Sequence, residues 1–90
     1  MCTGIRFTDT AGNMYFGRNL DWTCGYGERV VVTPPAAQVP AAFDRPGDPE
    51  RGHAVIGMGI VAGGIPLYFD CGNDAGLAVA GLNFPQSVRY

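Results

Sequence analysis

Met1 is followed by Cys2, and initiator methionine is clipped when the next side chain is small. The product would carry a thiol and a free α-amine on one residue. A thiol titrates near about 8.5 and an α-amine at about 7.7–8.0. The amine can therefore accept the thiol proton near neutral pH, directly or through water. Nucleophile and general base then share one residue, as in hydrolases built on an N-terminal threonine. No histidine is required. The single histidine, His53, is placed at the start of a strand-like segment with no partner acid nearby.

Position alone does not make Cys2 catalytic, because many chains simply carry cysteine second. Its neighbourhood adds Arg18 and Asp21, in Gly17-Arg18-Asn19-Leu20-Asp21-Trp22. An arginine beside a thiol favours thiolate, and a carboxylate can hold an α-amine in place. On spacing alone, the simpler reading of Arg18 and Asp21 is a surface ion pair, common and weakly stabilising.

The elements that must position these groups read as strands. Thr3 to Thr8 alternates, with Ile5 and Phe7 on one face. Asp9-Thr10-Ala11-Gly12-Asn13 is a turn in which Gly12 and Asn13 tolerate positive φ. Met14 to Asn19 is the returning strand, which brings Arg18 back beside the N-terminus. Glu28 to Thr33 holds three consecutive valines and stops at Pro34-Pro35. Residues Pro34 to Gly52, rich in Pro and Ala, read as a surface excursion. His53 to Ile60 and Ile65 to Phe69 are strands joined by Ala62-Gly63-Gly64. Asp70 to Gly76 is a turn cluster, and Leu77 to Leu82 a last strand.

This is an antiparallel meander without a helix of any length, and such a sheet needs its apolar face covered. The expectation is that residues 1–90 form part of a larger single domain.

Composition narrows the partners. The chain has 90 residues, a formal charge of −2, and arginine as its only strongly basic residue type. No like-charge run offers a docking surface for nucleic acid or an anionic membrane. No apolar stretch approaches the roughly 20 residues of a membrane helix, and the start lacks signal-peptide character, so a cytoplasmic location is expected. Cys2, Cys24 and Cys71 are odd in number and widely spaced, a poor disulfide framework with no zinc spacing. Cys24 and Cys71 read as reduced, partly buried thiols. The acids form no metal cluster, and no cofactor is implied. Gly57 to Gly64 is glycine-rich but lacks the Gly-Lys-Ser/Thr ending of a phosphate loop. Its glycines read as strand and turn residues.

Four blocks in order, Met1-Cys2-Thr3-Gly4, Tyr15 to Trp22, Ile56-Gly57-Met58-Gly59 and Gly76 to Pro85, resemble the choloylglycine hydrolase family of conjugated bile salt hydrolases and penicillin V acylases. The wording of Asn19-Leu20-Asp21 and Gly81-Leu82-Asn83-Phe84-Pro85 is closer to the bile salt hydrolases. The resemblance implies an α+β, N-terminal-nucleophile αββα four-layer fold, to which this chain contributes mainly antiparallel strands. It implies Cys2 as nucleophile, Arg18 beside it, Asp21 orienting the α-amine and Asn83 stabilising the oxyanion. An asparagine N–H aimed at a developing O⁻ contributes about 3–4 kcal/mol. Leu20 and Val61 correspond to positions near the substrate pocket, although core packing accounts for them equally well.

The resemblance further implies hydrolysis of the amide between a bile acid and glycine or taurine, and a homotetramer. The family's second asparagine and second arginine would lie beyond Tyr90, so residues 1–90 alone are expected to be incomplete. Penicillin V acylase or another N-acyl amidase activity of the same family, or a catalytically inactive truncated β domain, are the alternatives.

Overall fold

The computed structural model describes residues 2–35 and 52–82. Those residues form six strands: β1 (Thr3–Thr8), β2 (Met14–Asn19), β3 (Arg29–Thr33), β4 (Val55–Ala62), β5 (Ile65–Asn73) and β6 (Ala78–Ala80). β1 and β2 make a two-stranded sheet, and β3-β4-β5-β6 a four-stranded one in chain order. Every pairing is antiparallel, as the alternating segments and intervening turns predict.

The first hairpin is fixed by Asp9. Its Oδ1 accepts the Ala11 and Asn13 backbone N–H groups, each at 2.9 Å, and its Oδ2 accepts the Asn13 side-chain amide at 2.9 Å. Of the two residues expected to tolerate positive φ, Gly12 adopts it, at 86°. Phe7 and Tyr15 face each other across the ladder with stacked rings 5.0 Å apart. The Gly63-Gly64 turn joins Ala62 to its partner Ile65 with φ values of 58° and 79°. Two positive φ values match the hairpin turn that suits strand twist.

Four strands differ in extent from the sequence expectation, β3 only by starting one residue later, at Arg29. β4 starts and ends two residues later, β6 is confined to Ala78–Ala80, and β5 runs on through Asp70-Cys71-Gly72-Asn73. Asp, Gly and Asn are turn formers, but here a ladder to β4 from Met58↔Asp70 to Val55↔Asn73 outweighs local preference. The turn is pushed onward, where Asn73 Oδ1 accepts the backbone N–H groups of Ala75 at 3.1 Å and Leu77 at 2.9 Å.

The β4–β5 ladder contains a bulge. Met58 pairs with Asp70 but Gly59 pairs with Tyr68, so Phe69 has no register partner on β4. A bulge releases the extra residue's polar groups and re-aims its neighbours. Gly57 and Gly59 flank this point. A Cβ on Gly57 would lie 1.9 Å from Asp70 O, and one on Gly59 2.3 Å from Leu67 O, so the bulged strand approaches only because both positions are bare.

Little apolar surface is enclosed. Among the described residues, Cys2 and Val31 are the buried hydrophobic side chains. Val30 and Val32, adjacent to Val31, are exposed, as are Ile5, Phe7, Ile56, Leu67 and Val79. The sheets thus carry apolar faces that the described residues leave open.

Candidate active site

Pairing in β1–β2 places the reactive candidates. Gly4 is opposite Arg18 and Thr3 opposite Asn19. Directly opposed residues share a face and alternate residues return to it, so Cys2, Gly4, Arg18 and Leu20 lie on one side of the hairpin. The Thr3 backbone N–H donates to Asn19 Oδ1 at 2.8 Å and ties the strand end beside Cys2. Gly4 keeps this face flat: a Cβ there would sit 3.6 Å from Leu82 Cδ1.

Arg18 crosses from this hairpin to the larger sheet. Its side chain is 3% exposed, which removes the surface-pair reading. Nη2 donates to Phe69 O at 2.9 Å, and Nε stands 3.1 Å from Asp70 Oδ2. The Nε contact is a charge pair without hydrogen-bond alignment, and Nη1 is buried without a hydrogen-bond partner among the described residues. The carbonyl Arg18 uses belongs to the bulged residue, whose oxygen also accepts the Gly81 N–H at 3.0 Å. Asp70 has the composition of a turn residue; its proximity to Arg18 is a product of the extended β5.

Cys2, Arg18, Leu20, Asp70 and Cys71 line one cavity of about 430 Å³, with Trp22, Tyr26, Tyr68 and Leu82 among its other walls. That volume lies in the range of small-molecule sites, and its mix of aromatic and aliphatic walls with a few polar groups is the usual composition. Tyr26 closes one side by packing on Phe69, with ring centroids 5.6 Å apart. Glu28 holds the Tyr26 segment by accepting its backbone N–H at 2.7 Å.

Asp21 follows β2 and is exposed. A hydrogen bond from the chain's N-terminal amine, and then that amine's positive charge, hold its carboxyl below the usual carboxylate range. That amine is the one carried by Met1, one residue ahead of the amine that removal of Met1 would expose on Cys2.

Several other expectations meet the structure differently. Val61 is exposed on β4 opposite Pro66, two residues beyond the bulge at Gly59, and is absent from the cavity wall. Asn83 lies outside the described residues, as does most of the Pro34–Gly52 excursion. Cys24 is exposed rather than partly buried, and Cys71 is intermediate; both are free thiols. Burial, and then the Asp70 charge, push the Cys71 thiol up. His53 does have an acid partner: its Nδ1 is 2.8 Å from Asp74 Oδ1, because the β5–β6 turn folds back over the start of β4. Asp74 Oδ2 also accepts the Ala54 N–H at 3.2 Å.

Among the described residues, no group of three His, Cys, Asp or Glu side chains is arranged to hold a metal ion. No helix among them is long and apolar enough to cross a membrane.

A cysteine walled in with a buried arginine, in a cavity of small-molecule size, is an arrangement suited to thiol-dependent acyl chemistry. The chain belongs to the linear amide C–N hydrolases of the choloylglycine hydrolase family, whose sequence model matches residues 2–90. It is 54% identical over 90 residues to a bile salt hydrolase/transferase of Bifidobacterium longum, and 53% identical to a conjugated bile acid hydrolase of Lactobacillus gasseri. A bile salt hydrolase/transferase of Lactiplantibacillus plantarum is 39% identical over the same span. All of this chain is covered in each case, but it spans only 28% of the first two relatives and 26% of the third.

Proposed function

We propose that the protein hydrolyses the amide bond joining a bile acid to glycine or taurine, with Cys2 as nucleophile after removal of Met1. The observation that carries this reading is the burial of Cys2 in one cavity with Arg18 and Leu20, in a chain over half identical to two bile-acid hydrolases. Cys2 Sγ passes its proton to its own α-amine and attacks the amide carbonyl carbon, forming a C–S bond and an oxyanion. Asn83 is assigned to that oxyanion, and Asp21 to holding the α-amine. Collapse breaks the C–N bond as the nitrogen takes the proton and leaves as glycine or taurine. Water then attacks the acyl-thioester and releases the bile acid, returning the thiol.

Arg18 contributes positive charge beside the thiol, which favours thiolate. Leu20 and the aromatic walls suit an apolar steroid face. Val61 is retained as a substrate-side position on family resemblance alone. The same reading places β1 to β6 within an αββα four-layer domain whose other layers cover the open apolar faces, and gives the enzyme a cytoplasmic location.

The test compares release of glycine or taurine from conjugated bile acids with release of phenoxyacetate from penicillin V by the whole protein. Faster bile-acid turnover supports the assignment. Faster penicillin turnover moves it to the acylase branch, and turnover of neither removes it.

A further inference from the structure

We infer that Asp70 is a positioning residue that fixes the Arg18 guanidinium in the Cys2 cavity. This inference rests on the proposed role of Cys2. Arg18 is a long side chain that leaves one sheet and ends at the other, and nothing on its own strand holds its head. Two groups on β5 do: the Phe69 carbonyl takes Nη2 at 2.9 Å and the Asp70 carboxylate faces Nε at 3.1 Å. The bulge makes both available at once, since Phe69 has no register partner on β4. Asp70 is itself anchored, with Oδ1 accepting the Met58 backbone N–H at 3.2 Å. Gly57 and Gly59 keep that approach open.

Nη2 donates to β5 and Nε sits there in an ion pair without a hydrogen bond, so Nη1 is the remaining guanidinium end, buried and likewise without a hydrogen bond among the described residues. A buried donor left unmatched costs roughly 1–3 kcal/mol, so its retention at a cavity wall points to a group that arrives there with negative charge. The Cys2 thiolate and the oxyanion formed from its substrate are such groups. A carboxylate beside Arg18 also offsets part of its positive charge. The geometry assigns Asp70 the other effect, because without it the guanidinium keeps a single carbonyl contact and is free to turn away.

The test is the pH profile of Cys2 alkylation by iodoacetamide in the whole protein, followed site by site by mass spectrometry, with Met1 removal confirmed. The titratable and charged groups lining the cavity are Cys2, Arg18, Tyr26, Tyr68, Asp70 and Cys71. Asp70→Asn keeps an acceptor for the Met58 N–H and removes the charge that holds Nε. Its expected result is a Cys2 rate at pH 7 lower by about tenfold, the effect of a thiol pKa raised by one unit. The Cys24 rate should be unchanged.

Asp70→Glu, which restores the charge one methylene further out, should fall between the two. It carries the test by itself if Asp70→Asn does not fold. A Cys2 profile unchanged or accelerated in Asp70→Asn, or unchanged in Asp70→Glu when that variant stands alone, overturns the inference. A wild-type Cys2 no faster than Cys24 and Cys71 would instead remove the nucleophile assignment, and this inference with it.

Discussion

Arg18 Nε and Asp70 Oδ2 meet at 3.1 Å, one from the N-terminal hairpin and one from the four-stranded sheet, with side chains 3% and 23% exposed. Breaking a pair this enclosed strands the remaining charge, which costs about 3–5 kcal/mol when burial is complete. Arg18→Met should therefore destabilise the protein by roughly 2–4 kcal/mol, discounted for the partial exposure of Asp70. The double variant Arg18→Met/Asp70→Asn should recover part of that loss, because no unpaired carboxylate remains. Urea denaturation of the two singles and the double measures the coupling.

The close approach of β4 and β5 predicts opposite outcomes at two glycines. Gly57→Ala places a methyl where Asp70 O and Cys71 Cα already sit, and should cost about 1–3 kcal/mol or more. It should also slow Cys2 alkylation, because the clash displaces the strand that holds Arg18. Gly52→Ala meets nothing within 4 Å among the described residues and should leave the thermal midpoint within a degree or two, as isolated surface changes do.

The two other thiols should react in a fixed order. Cys24 is exposed, whereas burial and the Asp70 charge raise the Cys71 thiol. At pH 8, iodoacetamide should label Cys24 well before Cys71. Asp70→Asn should quicken Cys71 by removing the smaller of its two perturbations.

Acid should loosen two turns. Hydrogen bonds from the Asn13 side chain and then its backbone lower the Asp9 carboxyl, and the Ala54 N–H followed by His53 lower Asp74. A carboxylate depressed in the folded state stabilises it above the unfolded pKa, about 3.9, and that contribution disappears as pH falls through the folded value. The thermal midpoint should thus fall on acidification below about pH 4, and the Asp9→Asn/Asp74→Asn double variant should show a shallower fall over the same range.

The hairpin was legible in the sequence because its signals are local. Alternation in Thr3–Thr8, the Asp9 to Gly12 turn and the return through Arg18 each depend on neighbours a few residues apart, and all three stand in the structure. Asp70 was not legible as a partner of Arg18. Asp70-Cys71-Gly72-Asn73 has turn composition, and only pairing with a glycine-bearing strand draws it into a ladder. The same long-range step explains why Gly57 and Gly59 read as generic strand glycines, although their lack of a Cβ is what lets the bulge approach. The His53 contact is hidden from the sequence for a related reason, since Asp74 reaches it through a turn that folds back across the sheet.

The most direct measurement is a rapid-quench experiment on the whole protein with glycine- or taurine-conjugated bile acid, followed by intact-mass and peptide analysis. The expected product is an N-terminal peptide that begins at Cys2 and transiently carries the bile-acyl mass on that residue. The adduct should be absent in Cys2→Ala. Turnover of the conjugate with Met1 retained, or with the acyl group on another residue, would contradict it.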